Sequence, residues 1–390
     1  MSKNELNRRI FLKTSLLGAT GAVVTNKMAN AESIKYMDSR MIKRKVVKRK
    51  LGKTGLKLPV VSFGVMRADN PNLIKAAISA GVKHFDTAHG YQKGNNEKML
   101  GEVLKDYPRD SFTIATKVKW VDKNDFQEKL NTSLERLKMD YVDILYSHAL
   151  SSRDEVLSKD MQKAMLEAKK QGKVRYIGFS THRNEPEVIR AAIESGVYEV
   201  ILTSYNFKQD HKKDMTKAIE EAARSGIGIV AMKTMAGGKL GKDAGEMQFA
   251  AALKWALKNP NIHTSIPGIT NFQELEENLA VMENLELTSE EEKFLSTASL
   301  MEGLYCNGCQ QCTKACPNNL PIPDMMRAYM YAYGYGETNK AKQELADLGI
   351  EENPCNDCLV CTAACIKGFD IKEKITDITR ISKVPEDFLV

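Results

Sequence analysis

From residue 60 onward, short apolar, β-branched runs alternate with longer helical patterns, and the alternation repeats eight times. The runs are VVSFGVM (60–66), HFDTA (84–88), FTIATKV (112–118), VDILYSH (142–148), YIGFST (176–181), EVILTSYN (199–206), GIVAMKTM (228–235) and HTSIPGI (263–269). Between them stand patterns such as NEKMLGEVLKDY and DEVLSKDMQKAMLEAKKQGK, whose apolar residues recur at helical spacing. Eight strands alternating with helices predict an α/β chain folded as a parallel (β/α)8 TIM barrel. An open doubly wound sheet would more often carry a Gly-x-Gly-x-x-Gly turn after its first strand, and none is present. Chemistry in such a barrel collects at the C-terminal ends of the strands. That rule singles out Asp86, Lys117, His148, Ser180 and Thr181.

The segments LGKTGLKLPVVSFGVM, HFDTAHGY, ATKV, DILYSH, GKVRYIGFS, GIGIVAMKTMAGGKL and IPGITNFQELEENLA together resemble the aldo-keto reductase family, over residues 48–300 and in the family's order. The resemblance implies a catalytic set of Asp86, Tyr91, Lys117 and His148. Carbonyl reduction needs a hydride on carbon and a proton on oxygen. A free Tyr, with a pKa of about 10, is a reluctant acid near neutrality, and a neighbouring Lys⁺ would lower that value. Asp86 is expected to hold Lys117, His148 to orient the carbonyl oxygen, and Tyr91 to deliver the proton.

The resemblance also implies nicotinamide contacts. Ser180 and Thr181 would face the carboxamide, Met232 stands where many members stack a Tyr on the ring, and Leu202 replaces a carboxamide-binding Gln. The loop Thr234 to Gly238, with Gly237 and Gly238, would bring backbone N–H groups to the pyrophosphate. Glu277 and Asn278 match the adenine side. Members that prefer NADPH place Lys and Arg at the positions of Gly268 and Glu274. A carboxylate there repels a 2′-phosphate, so NAD(H) is expected over NADP(H).

All eight cysteines fall between 306 and 365, in two runs spaced C-x2-C-x2-C-x3-C: Cys306, Cys309, Cys312, Cys316 and Cys355, Cys358, Cys361, Cys365. A disulfide scaffold would normally spread its cysteines along the chain. Zinc sites more often use Cys pairs, sometimes with His, and no His is interleaved here. The spacing is that of [4Fe–4S] ligation. By resemblance to two-cluster ferredoxins, the fourth Cys of each run serves the other cluster. One set is then Cys306, Cys309, Cys312 and Cys365, the other Cys355, Cys358, Cys361 and Cys316. The 38 residues between the runs include PIPDMMRAYMYAYGYG and NKAKQELADLGI, which read as helical, so a mainly helical, ferredoxin-like C-terminal domain is expected. Its tyrosines, Tyr329, Tyr331, Tyr333 and Tyr335, read as core or as an electron path.

Residues 7–13, NRRIFLK, precede a short apolar stretch and then Ala29-Asn-Ala31, a small-x-small cleavage signal. This resembles a twin-arginine export signal, which implies a folded, cofactor-loaded passenger, the twin-arginine translocase as a partner and a periplasmic destination. Residues 1–50 hold 13 Lys/Arg against 3 Asp/Glu, while the remainder carries 44 against 47. The basic excess therefore belongs to leader and linker, and nucleic acid is not an expected partner. The expected organisation is an export signal (1–31), a basic linker (32–47), the barrel (48–300) and the iron–sulfur region (301–390). Three functions stay open at this stage, the third being a non-catalytic binding barrel like the channel-associated members of the family that the motifs resemble. One is an exported iron–sulfur reductase of a small carbonyl or alcohol, with clusters that are structural or exchange electrons with a redox partner. Another is an electron-transfer protein that uses the barrel as a docking scaffold.

Overall fold

A computed structural model describes residues 45–238, 248–300 and 303–389. The export-signal segment lies outside the described residues. The chain begins with a hairpin, β1 (Lys48–Lys50) against β2 (Lys57–Pro59), paired antiparallel. Eight strands follow: β3 (Phe63–Gly64), β4 (His84–Asp86), β5 (Thr113–Val118), β6 (Val142–Ser147), β7 (Val174–Thr181), β8 (Val200–Ser204), β9 (Gly228–Met232) and β10 (Thr264–Ser265). Each pairs in parallel with the next in chain order. Parallel bridges from Val61 to Ser265 and from Gly64 to Gly268 close the ring. Closure is tight: a Cβ on Gly64 would lie 2.6 Å from the Ile266 carbonyl oxygen, so only glycine fits there. The hairpin plugs the N-terminal end of the barrel. Its Leu51 abuts Gly228 at the start of β9, and Leu51 and Leu58 join Ala115, Ile144, Val200 and Val230 in one buried cluster.

The outer layer is α1 (Pro71–Ser79), α2 (Asn95–Leu104), α3 (Lys123–Leu137), α4 (Arg153–Leu157), α5 (Lys159–Lys170), α6 (Glu185–Ser195), α7 (Lys212–Arg224), α8 (Phe249–Lys258), α9 (Phe272–Ala280) and α10 (Ser289–Leu300). Side-chain caps set several starts: Asn70 for α1, Asp122 for α3 and Asn271 for α9 accept hydrogen bonds from first-turn N–H groups. The run DEVLSKDMQKAMLEAKKQGK reads as one helix but forms two. Ser158 leaves the helical conformation and its hydroxyl caps α5 through Met161 N–H. A capping box of Ser152 and Glu155 starts α4.

The C-terminal region supplies α11 (Gln311–Ala315), α12 (Ile322–Tyr335), α13 (Thr338–Asp347) and α14 (Ile371–Thr379). Met325, Met326, Met330, Leu345, Ile375 and Ile378 form its core, which is continuous with Phe207, Ala251 and Ala252 of the barrel. The region sits over the C-terminal strand ends. Arg67, beyond β3, pairs with Glu337 at 3.0 Å, and Arg183, beyond β7, pairs with Asp324 at 2.8 Å. Asp210, beyond β8, accepts from Asn307 at 2.6 Å and pairs with Lys367. Helix α12 meets the loop after β9 backbone to backbone: a Cβ on Gly334 would lie 2.6 Å from the Gly237 carbonyl oxygen. No helix among the described residues is long and apolar enough to cross a membrane.

Candidate active site and cysteine sets

The four residues of the expected catalytic set meet at one end of the barrel. Asp86 ends β4 and Lys117 lies in β5; both are almost wholly buried and form an ion pair. Lys117 Nζ also donates to Thr87 O at 2.6 Å and reaches Tyr91 Oη at 3.4 Å. Burial pushes Asp86 up and Lys117 down, and each is drawn back by the other's charge. Tyr91 returns over the strand ends because the next turn is forced: Gln92 and Lys93 are left-handed, at φ 50° and 54°. Such conformations in non-glycine residues store strain, of order 1–3 kcal/mol each, and cluster at functional sites. Gln92 fixes the turn by donating to Met66 O and Ala68 O.

His148, just past β6, stands edge-on to Tyr91 with ring centroids 6.2 Å apart. Burial first, and then the Lys117 charge, holds its imidazole down to about 3, so it is neutral at ordinary pH. Tyr91 departs from expectation. Its phenol is pushed well above the ordinary range by burial, then by the carboxylates of Asp86 and Glu344. Glu344 belongs to α13, so the C-terminal region helps set the protonation of the barrel's tyrosine. Neutral Tyr91 and neutral His148 each carry a hydrogen to donate. The pair suits binding a carbonyl oxygen and protonating it as charge develops.

The expected nicotinamide contacts are placed less openly. Ser180 Oγ accepts from Ala149 N–H at 2.8 Å and so braces the turn beyond His148; Thr181 Oγ1 donates to Arg183 O at 3.1 Å. Leu202 is fully buried, and Met232 packs against the same apolar cluster, so both extend the barrel's apolar interior toward its mouth. In the loop after β9, Ala236 N–H and Gly238 N–H are already used in turns to Lys233 O and Met235 O, each at 3.0 Å. Gly237 and Gly238 face Met330 and Tyr335 of α12. Thr234 is buried. On α9, Glu274 accepts from Thr270 N–H at 2.7 Å, Glu277 accepts from Gln273 at 2.8 Å, and Asn278 donates to Glu274 O at 2.7 Å. The Glu274 carboxylate is thus held at the start of α9.

None of the eight cysteines is in a disulfide. They gather in two clefts, one lined by Cys306, Cys309, Cys312 and Cys365, the other by Cys316, Cys355, Cys358 and Cys361. Two sets of four sulfurs, each crossing between the runs, suit two cubane clusters. The first cleft is walled by Pro323, Met326 and Phe369, and burial pushes the Cys306 thiol up to about 12. A bound metal would reverse that by holding the thiolate.

Sequence reasoning missed several residues at the mouth. His182 and Lys233 immediately follow β7 and β9, where the strand-end rule points. Arg327, Asp324 and Glu344 come from the helices above and carry no local signal. Tyr331 and Tyr335 lie on the barrel side of α12, near Lys233 and Arg67, whereas Tyr329 faces Lys374 on α14.

Comparison with known proteins agrees with this geometry. The aldo/keto reductase family model matches residues 62–249 and 239–297, and a 4Fe-4S dicluster domain model matches residues 305–370. The chain belongs to the aldo/keto reductase family, and it is an oxidoreductase with an iron–sulfur domain appended to the barrel. L-galactose dehydrogenase of Arabidopsis thaliana is 28% identical, over 65% of this chain and 93% of its own length. Methylglyoxal reductase DkgB of Escherichia coli O157:H7 is 30% identical, over 61% of this chain and 92% of its own. Among solved structures, a thermostable aldo-keto reductase in complex with the inhibitor epalrestat superposes with a TM-score of 0.55 at 26% identity, covering 65% of this chain and 99% of that one. An aldo-keto reductase from Bacillus halodurans, in its holo form, gives 0.55 at 23% identity, covering 65% and 96%, and shares the fold.

Proposed function

We propose that the chain is an exported iron–sulfur reductase of small carbonyl compounds that uses NAD(H) in preference to NADP(H). The observation that carries this reading is the convergence of Asp86, Lys117, Tyr91 and His148 at the strand ends, with the neutral phenol of Tyr91 and the neutral imidazole of His148 each carrying a hydrogen to donate. A bound nicotinamide supplies hydride, and clusters held by the two cysteine sets supply one-electron transfer. The protein's own residues do the rest. His148 and Tyr91 bind and orient the carbonyl oxygen, and Tyr91 delivers the proton at Oη. Lys117 and Asp86 hold Tyr91 in place, while α12 and α13 exclude water from above. The Glu274 carboxylate supports NADH by repelling a 2′-phosphate. The relatives named for L-galactose and methylglyoxal support a small carbonyl or sugar substrate.

Electron exchange with a redox partner is supported by the position of Cys306. It lines the first cysteine cleft and also a cleft shared with His182 and Lys233 at the barrel mouth. Export rests on residues 7–31, which read as a twin-arginine signal. Such a route suits a protein whose clusters are inserted before it leaves the cytoplasm.

Anaerobic purification with iron, sulfide and nucleotide analysis, followed by turnover of NADH with a carbonyl panel, tests this reading. NADPH binding more tightly than NADH would reject the cofactor preference. A second reading, an electron-transfer protein with the barrel as scaffold, is favoured by one observation: α12 covers the glycine loop after β9. Absence of NADH binding to the intact holoprotein would select it.

A further inference from the structure

The cleft between the barrel mouth and the first cysteine run holds a cation that the chemistry above does not use. It is lined by His182, Arg183, Lys233, Cys306, Arg327 and Met330. Among the described residues, each neighbouring charged side chain is paired except one. Arg183 pairs with Asp324 at 2.8 Å, and Arg327 with Asp324 at 2.7 Å and Glu344 at 3.1 Å. Lys340 takes the other oxygen of Glu344 at 2.7 Å, and Glu185 is engaged by His211 at 3.1 Å and by Ser204. Lys233 forms no hydrogen bond or ion pair with any of them. Its ammonium lies 5.6 Å from the centre of the Tyr331 ring, and its backbone is left-handed at φ 54°.

Lys233 is half-buried; drawing an unpaired ammonium even partly out of water is costly, and a neighbouring aromatic face offsets only part of that. Burial and the nearby Arg327 bring Lys233 down to about 7. An arriving anion removes both penalties. The character of the cleft points the same way. Lys233, Arg183 and Arg327 only donate, and Arg327 lies 3.4 Å from His182 Nδ1, which therefore accepts and leaves Nε2–H as a further donor. The nearest carboxylates are already occupied. A neutral polyol would need acceptors as well as donors; a carboxylate needs donors alone.

We propose that Lys233 anchors the carboxylate of a small carbonyl acid at the mouth of the barrel whose strand ends carry Tyr91 and His148. The proposal rests on the reductase reading for the carbonyl, but the anion site itself does not depend on turnover. The pyrophosphate of a dinucleotide offers the same chemistry from another source, and the test separates the two.

Oxamate, an unreactive carboxylate beside a carbonyl, is titrated calorimetrically into the full-chain holoprotein and its Lys233→Met variant. The expected result is a ten- to hundredfold weaker Kd in the variant, the scale of a charge-assisted contact. Lys233→Arg, which keeps the cation, is expected to retain most of the affinity. In turnover, the ratio of kcat/KM for glyoxylate to that for neutral methylglyoxal falls by a similar factor in Lys233→Met. If neither aldehyde is reduced, the reductase reading fails while the oxamate result still decides the anion site. Equal oxamate affinity in wild type and Lys233→Met overturns the proposal. An equal loss of NADH affinity, with oxamate and NADH competing, also overturns it by assigning the cation to the pyrophosphate.

Discussion

Replacing Lys117 by Met tests the account of the buried ion pair most directly. Lys117 and Asp86 are 1% and 2% exposed, and the second Asp86 oxygen, Oδ2, already lacks a partner. The substitution leaves both carboxylate oxygens bare inside the barrel. Breaking a buried pair from one side costs about 3–5 kcal/mol. For a barrel of this size each kcal/mol moves the melting point by about 2–4 °C, so a fall of roughly 6–20 °C is expected. The loss has a definite pH dependence. Burial already holds Asp86 above the ordinary carboxylate range, with Lys117 opposing; without Lys117 it rises further. A group whose folded pKa is raised contributes stability that is fully present below its unfolded pKa and is lost as pH rises through the folded value. The variant's deficit relative to wild type therefore grows as pH climbs from the ordinary carboxylate range through the raised value. Circular-dichroism melts of anaerobic protein at pH 5 and pH 8, at matched scan rates, measure this. The double variant Asp86→Asn/Lys117→Met removes the stranded charge and is expected to recover most of the loss. A deficit independent of pH, or a double variant no better than the single one, would refute the reasoning.

Tyr91→Phe removes the proton donor and is expected to lower kcat by about 10²–10⁴, with NADH affinity, measured by fluorescence titration, changed little. Because burial and two carboxylates keep Tyr91 protonated and His148 is neutral above about 3, reduction of a neutral carbonyl such as methylglyoxal should show no limb between pH 5 and 9. A pH–rate profile with a basic fall near neutrality would contradict that. Cys306→Ser, Cys365→Ser and the double variant should each lose about half the iron, whereas Cys365→Ser with Cys355→Ser should lose nearly all of it. Iron analysis and the absorption near 400 nm read the outcome, and additive loss in the first pair would disprove shared ligation. Gly334→Ala drives a methyl toward Gly237 O and should loosen α12 from the barrel at a cost of about 1–3 kcal/mol, seen as faster proteolysis of the 301–390 region.

The eight strands were legible because buried parallel strands write themselves as apolar runs, and the cysteine spacing carried its meaning in eight residues. The break at Ser158 was not legible, since a serine within helical periodicity reads as an ordinary polar position until its hydroxyl is seen to cap. The direction of the Tyr91 shift was not legible either. Lys117 lies 26 residues from Tyr91 in a family-like motif, but the opposing Glu344 arrives from another part of the chain. The contact of Arg67 with Glu337 spans 270 residues. No local pattern encodes such a meeting, so the covered barrel mouth, and with it the cleft of Lys233, emerges only from the fold. Lys233 itself lay within reach, one residue past a strand end.

The crossed grouping of the sulfurs sets an order of manufacture. Cys306, Cys309 and Cys312 leave the ribosome well before Cys365, so a nascent chain halted between the runs can complete neither set. The helices that roof the barrel, α12 and α13, lie in the bracket between the runs and share their core with Cys312 and Cys355. Cluster loading and the packing of these helices are therefore coupled through that shared core. Losing the clusters would weaken the packing of α12 and α13, and with it the hold of the Glu344 carboxylate on the proton of the barrel's tyrosine.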